Sequence, residues 1–228
     1  NSDGELNVVK TGGGYQTLTG DNSYTGTTRI NSGSMGVGLG GATGTLGRGR
    51  VTNNGTLTFS HSGDVALGAL AAGGIDGTGT VQLFIGGDFT LDRAINQSGA
   101  DSRVYVAAGT VNGSSIGVGN VSLAPGGSIA LSDSGTLVVY STAPTGGGTA
   151  ALDAVVSGAN APTRYKTWNC NTAFSCAGTY GARNYFYRNQ QNIGIGNLGA
   201  SKTYDGNTDV TLNTAGATNI TATPENDR

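Results

Sequence analysis

Gly55-Thr56-Leu57-Thr58-Phe59 is answered one period later by Gly79-Thr80-Val81-Gln82-Leu83, and Gly63-Asp64-Val65-Ala66-Leu67 by Gly87-Asp88-Phe89-Thr90-Leu91. The shared pattern is a small residue, a polar one, then apolar residues at alternate positions. Alternation with a period of two is the signature of a strand, and the leading glycine supplies a turn. Further copies read Ser102-Arg103-Val104-Tyr105-Val106, Gly119-Asn120-Val121-Ser122-Leu123, Gly127-Ser128-Ile129-Ala130-Leu131 and Gly135-Thr136-Leu137-Val138-Val139. The spacings between successive starts fall close to multiples of eight. Strands of about five residues with short corners give about eight residues per side, and three sides close a coil of about 24 residues. That is the offset from Gly55 to Gly79 and from Gly63 to Gly87. The expectation is an all-β chain folded as a three-sided parallel β-helix. Leu57 should stack on Val81 and Val65 on Phe89, with the starts at 79, 102 and 127 continuing the stack by single-position slips. Thr58, Ala66, Gln82, Thr90, Ser122 and Ala130 should face outward. An antiparallel sandwich also spaces strands at about 8–12 residues. Asn54-Gly55, Asp76-Gly77 and Asn112-Gly113 would suit its hairpins, but the equal offsets of the two repeated pairs favour the solenoid.

Composition narrows the functional classes. The 228 residues carry 42 glycines and only 11% charged side chains, against about 25% charged in an average domain. Glycine does not recur every third position and there are 4 prolines, which excludes collagen. Twelve basic against 14 acidic residues leave no electrostatic footprint for nucleic acid. Three lysines and two glutamates cannot build the charged faces of a helical bundle. No run approaches the roughly 18 apolar residues of a membrane-spanning helix. The chain opens at Asn1 without Met or a leader and closes on Pro224-Glu225-Asn226-Asp227-Arg228, which reads as a piece of a longer protein.

After Tyr140 the alternation fades. Residues 141–163 are rich in Ala, Gly, Thr and Pro, and an aromatic segment follows: Tyr165, Trp168, Phe174, Tyr180, Tyr185, Phe186 and Tyr187. These rings can pack over the open end of a solenoid, which needs covering. They can also stack on a sugar, so Tyr165, Trp168, Phe174, Tyr180, Tyr185 and Tyr187 are candidate interaction aromatics. Cys170 and Cys176 lie within this segment. Their spacing is not C-x-x-C, and a single histidine in the chain leaves too few ligands for zinc. A small disulfide loop in an oxidising compartment is the favoured reading. The expected organisation is a β-helix with its end segment over 1–190, a Gly/Asn linker over 191–200, and the start of a small β domain over 201–228.

Two stretches resemble known families. Leu18-Thr19-Gly20-Asp21-Asn22-Ser23-Tyr24-Thr25-Gly26-Thr27-Thr28-Arg29-Ile30-Asn31-Ser32-Gly33-Ser34-Met35 resembles the autotransporter-associated β-strand repeat, and the resemblance runs on through Leu46-Gly47 and Val51-Thr52-Asn53-Asn54-Gly55-Thr56-Leu57. Met35 replaces the usual Leu. Lys202-Thr203-Tyr204-Asp205-Gly206-Asn207-Thr208 resembles the opening of the YDG repeat of filamentous-haemagglutinin-like exoproteins. In those proteins a Cys–Cys loop and an aromatic strand often precede the repeat, as Cys170, Cys176 and Tyr185-Phe186-Tyr187 do here. The resemblance implies a right-handed parallel β-helix in a large Gram-negative surface or secreted adhesin. Its partners would be a host-cell or surface receptor, or a glycan, and an outer-membrane translocator during export. The resemblance implies export by a type V route, self-transporting or two-partner.

Chemistry is sparse. β-Helices include polysaccharide-degrading enzymes, and Asp64 with Asp88 is the candidate carboxylate pair on successive coils, for acid–base work or Ca²⁺. Both follow a turn glycine, where Asp commonly caps the backbone. His61, the one histidine, lies in the corner Ser60-His61-Ser62-Gly63, without a nucleophile elbow for a Ser-His-Asp arrangement. Gly73-Gly74-Ile75-Asp76-Gly77-Thr78-Gly79 is a single, out-of-register echo of a calcium nonapeptide. Threonine pairs at 56/58 and 78/80 form no ladder suited to ice. The expectation is a structural and adhesive protein with no catalytic residue, metal or cofactor, and no membrane insertion of this segment.

Overall fold

A computed structural model describes residues 5–111, 117–143, 148–159, 164–167, 170 and 182–188. The chain divides into two units, Asn1–Gln190 and Gln191–Arg228. The second unit, with the expected linker 191–200 and the YDG-like segment 201–228, lies outside the described residues.

Three parallel sheets form the sides of a solenoid. The first holds β1 (Val8–Lys10), β3 (Thr28–Ile30), β5 (Val51–Asn53), β8 (Ile75–Gly77), β11 (Ala94–Gln97), β14 (Ser128–Leu131) and β16 (Val156–Ser157), hydrogen-bonded in that order. The second holds β2 (Tyr15–Leu18), β4 (Ser34–Gly41), β6 (Thr56–His61), β9 (Thr80–Ile85), β12 (Arg103–Ala108) and β15 (Thr136–Ser141) in chain order. It ends with β18 (Arg183–Tyr187) and then β17 (Arg164–Thr167). The third is short: β7 (Val65–Ala66), β10 (Phe89–Leu91) and β13 (Val121–Leu123), preceded on the same side by a single bridge from Asp21 to Thr45. Among the described residues two helices punctuate the corners, α1 (Leu67–Leu70) and α2 (Gly148–Ala154).

Each sheet feeds the axis with like residues stacked coil on coil. Val51, Ile75, Ile95 and Ile129 form one column. Val37, Phe59, Leu83, Val106, Val139 and Tyr185 form another, every one buried. Leu57 pairs with Val81 and Val65 with Phe89, as the spacing requires. Burying each such side chain favours the fold by about 1.5–3 kcal/mol. The recurrent glycine before the second-sheet strands has a steric cause. Gly33, Gly55 and Gly79 sit one above another at a corner, and a Cβ on either of the last two would collide with the carbonyl oxygen of the glycine beneath.

The regular period holds only in the centre. The step from Val51 to its partner Ile75 equals the expected coil, but the step from Ile75 to Ile95 is shorter and that from Ile95 to Ile129 much longer. The predicted stack of starts 79, 102 and 127 is therefore corrected at its last step. Arg103 pairs with Thr136, and Ser128 pairs with Ala94. The cause is an excursion at the corner after β12. Gly109 N–H donates to the carbonyl of Gly87 at 3.2 Å, and the coil resumes only at Gly119 and Asn120, whose carbonyl receives Phe89 N–H at 2.8 Å. At its start the excursion is pinned to earlier coils. Thr110 N–H donates to Ile85 at 2.8 Å, Ser60 Oγ donates to the carbonyl of Val111, and Val111 packs over Gly40 and Gly86. Gly38 and Gly40, at φ +75° and +78°, form the bulge in β4 that makes room for it.

Candidate interaction surface

The outer face of the second sheet carries the functional candidates, and it has two halves. At the strand starts, Thr56, Thr80, Arg103 and Thr136 align across four strands. With Gln82, Asp101 and Ser134 they line an open, shallow hollow. Thr58 Oγ1 donates to Gln82 Oε1 at 2.9 Å and fixes its floor. The hollow offers hydroxyls, an amide, a guanidinium and a carboxylate, a set suited to reversible polar contact.

At the strand ends the same face turns apolar. Phe84, Tyr105, Tyr140 and Phe186 form a ladder with ring centroids 5.4, 5.5 and 4.6 Å apart. Spacings of about 4.5–7 Å are those at which aromatic pairs attract. Ala107, Val138, Tyr140, Cys170 and Phe186 make a second buried cluster, separate from the axial core. Burial pushes the Tyr105 phenol above its usual value, and Tyr140 beside it pushes the same way.

The predicted interaction aromatics divide. Tyr185 and Tyr187 are buried at 0% and 3% exposure, so neither ring offers a face to a ligand, and the sugar-stacking role is corrected for these two. They face the axis because their register partners, Val139 and Ser141, do. Tyr165 lies on β17, at the register position opposite Asn184. Trp168, Phe174, Tyr180 and Cys176 lie outside the described residues. Cys170 is buried, and its N–H donates to the carbonyl of Tyr187 at 3.0 Å.

At this end an ion pair is held inside. Arg183 Nη1 donates to Asp153 Oδ1 at 2.7 Å, with side chains 14% and 4% exposed. Arg183 Nη2 reaches the carbonyls of Gly158 at 2.9 Å and Val156 at 3.2 Å, and Tyr185 donates its hydroxyl to Asp153 Oδ1 at 2.9 Å. Burial, with the Asp153 charge adding to it, pushes the Tyr185 phenol well above its usual value.

Asp64 and Asp88 cap the backbone. Asp64 Oδ1 accepts Asp88 N–H at 2.8 Å, and Asp88 Oδ1 accepts Asn120 N–H at 2.7 Å. Asn120 Oδ1 then accepts Ala143 N–H at 3.1 Å. Asn120 thus continues the row of corner caps. His61 is another corner brace: Nε2–H donates to Ala42 O at 2.9 Å, and Nδ1 accepts Gly63 N–H at 3.3 Å. Asp76 of the nonapeptide echo is engaged by Arg50 and by Asn96 Nδ2 at 2.9 Å. Among the described residues, no three His, Cys, Asp or Glu side chains converge as a metal site.

The passenger-associated-transport-repeat family model matches residues 8–35, which run from β1 into the start of β4. The chain carries an autotransporter-associated repeat. It is also similar to the adhesin BmaC autotransporter of Brucella suis biovar 1 (strain 1330), 39% identical over 70 residues, 31% of this chain. The chain spans about 2% of that relative's length. No solved structure matches it. The matched residues lie in the first coils: Val8 pairs with Thr28 in one sheet and Tyr15 with Ser34 in the other, and the next coil follows with Val51 on Thr28 and Thr56 on Ser34.

Proposed function

We propose that this chain is the β-helical stalk and contact segment of a bacterial surface adhesin, displayed at the cell surface or secreted across the outer membrane. The observation that carries the reading is the autotransporter-associated repeat lying within the coils of a parallel solenoid. Similarity to an autotransporter adhesin supports it. The coils supply length, and the hollow around Arg103 supplies a polar contact surface for a receptor or glycan in attachment and biofilm formation. The Cys170–Cys176 bridge belongs to the same reading: no cysteine among the described residues is free. The YDG-like segment from Lys202 fits a multidomain exoprotein. The function is adhesive rather than enzymatic, since Asp64, Asp88 and His61 are all engaged in holding corners.

The test is binding of beads coated with the chain to epithelial cells and to an abiotic surface. Coated beads should bind above uncoated ones, and Q82A/R103A/T136A should lower binding several-fold. Full binding by that variant would move the contact surface elsewhere. Release of sugar from pectin or alginate, lost in D64N/D88N, would overturn the non-enzymatic reading.

A further inference from the structure

The strand order at the end of the second sheet departs from chain order: β18 lies between β15 and β17, parallel to both. The length of a coil shows what is displaced. In the first sheet, the last step along the chain runs from Ile129 to its partner Val156. In the second sheet, a step of the same length from Leu137 of β15 arrives at Arg164, the first residue of β17. Chain length therefore places β17 directly on β15 as the next rung. That rung is instead held by β18, which lies further downstream and whose Arg183 pairs with Leu137.

Residue type explains the substitution. Leu137 and Val139 are core-side positions of β15. With β17 on β15, the register set by the neighbouring sheet would place Arg164 at Leu137 and Lys166 at Val139. A lysine and an arginine entering an apolar axis are strongly disfavoured. β18 brings Tyr185 to Val139, fully buried, and Arg183 to Leu137, where Asp153 and the carbonyls of Val156 and Gly158 receive its guanidinium. Asn184 Nδ2 adds a bond to the carbonyl of Leu137 at 3.2 Å. Among the described residues β17 is the outer strand, with Arg164 and Lys166 at the register positions opposite Arg183 and Tyr185. Charged residues on an edge strand are a recognised block to further strand pairing.

We infer that β17 and β18 form a strand-exchange stop: β18 inserts as the closing rung because Arg164 and Lys166 bar β17 from it, and β17 then ends the stack. Two pairings of β15 compete, and the charges on β17 bias the choice. Breaking this bias should move protection between the two strands without removing any contact β18 makes with the core.

Native-state hydrogen exchange on the whole chain, under non-reducing conditions, reads both strands. In the unaltered protein the amides of 183–187, on a strand paired on both sides, should exchange at least tenfold more slowly than those of 164–167. In R164V/K166L the protection of 183–187 should fall at least tenfold while that of 164–167 rises. K166M alone, a milder change, should shift both in the same directions by several-fold. Equal exchange of the two strands in the unaltered protein would overturn the insertion. Unchanged protection in a folded variant would overturn the exchange.

Discussion

Asp88 hands its backbone N–H to the carboxylate of Asp64 one coil earlier, at 2.8 Å, and its own carboxylate receives Asn120 N–H from the next coil. Each side chain thus satisfies an amide that the corner would otherwise leave to water. The acceptor oxygen matters here, and the charge does not. D88N should therefore leave the melting temperature almost unchanged, whereas D88A should cost about 0.5–1.5 kcal/mol. Thermal denaturation of both variants checks this, and equal losses would show that charge is the cause.

Phe89 is fully buried on the axis and Thr90, its neighbour, faces out to Ser122 Oγ at 3.1 Å. F89A should cost about 3–5 kcal/mol, as large core truncations do. T90A should cost less than about 1 kcal/mol. Denaturant midpoints separate the two, and similar shifts would contradict the assigned parity.

Arg183 and Asp153 form a pair that water scarcely reaches. R183M strands a buried carboxylate and should cost about 3–5 kcal/mol. Replacing both partners, in R183M/D153L, should recover most of that loss. A double variant less stable than R183M would mean that Asp153 stabilises the fold through its other contacts.

Alkaline unfolding follows from the phenols. Tyr105 and Tyr185 are both raised by burial in the folded protein, while an unfolded tyrosine ionises near about 10. Above that pH the unfolded chain releases protons that the folded chain retains. Stability is thus intact below about pH 10 and falls as pH rises through the unfolded value. Y185F should flatten this limb, measured by unfolding at graded pH. An equally steep limb would assign the alkaline loss to other groups.

The disulfide is expected between Cys170 and Cys176, in the connection from β17 to β18. Closing so short a loop adds only about 2.4 kcal/mol in the chain-entropy view. Intact mass before and after reduction, with alkylation, decides it: two free thiols in protein recovered from cells would sink it.

Strand alternation made the central coils legible, since Leu57, Phe59, Val81 and Leu83 repeat both their parity and their spacing. It failed at residue 109, because a corner excursion adds length without altering the strands on either side. The aromatic ladder was hidden for a different reason. Val81-Gln82-Leu83-Phe84-Ile85 and Leu137-Val138-Val139-Tyr140 are apolar at both parities over part of their length, the mark of a strand covered on both faces. Reading only the inward positions discarded Phe84, Tyr105 and Tyr140. The polar hollow had no motif to announce it, because Thr56, Thr80, Arg103 and Thr136 meet only when four strands are set in register. The placement of β18 needed the coil length of a neighbouring sheet, which no local pattern contains.

Val111 joins parts of the molecule that the coil-to-coil ladder leaves independent. Hydrogen bonds between strands run along the solenoid axis, so a pull on one end opens rungs in succession, each failing alone. Residues 109–111 cross that sequence, gripping Gly87, Ile85, Ser60 and the Gly40 bulge at once. Force arriving from β12 must therefore be shared with β9, β6 and β4 before any one rung opens. In a solenoid under tension this corner would act as a rip-stop, arresting a tear partway along the stack of coils.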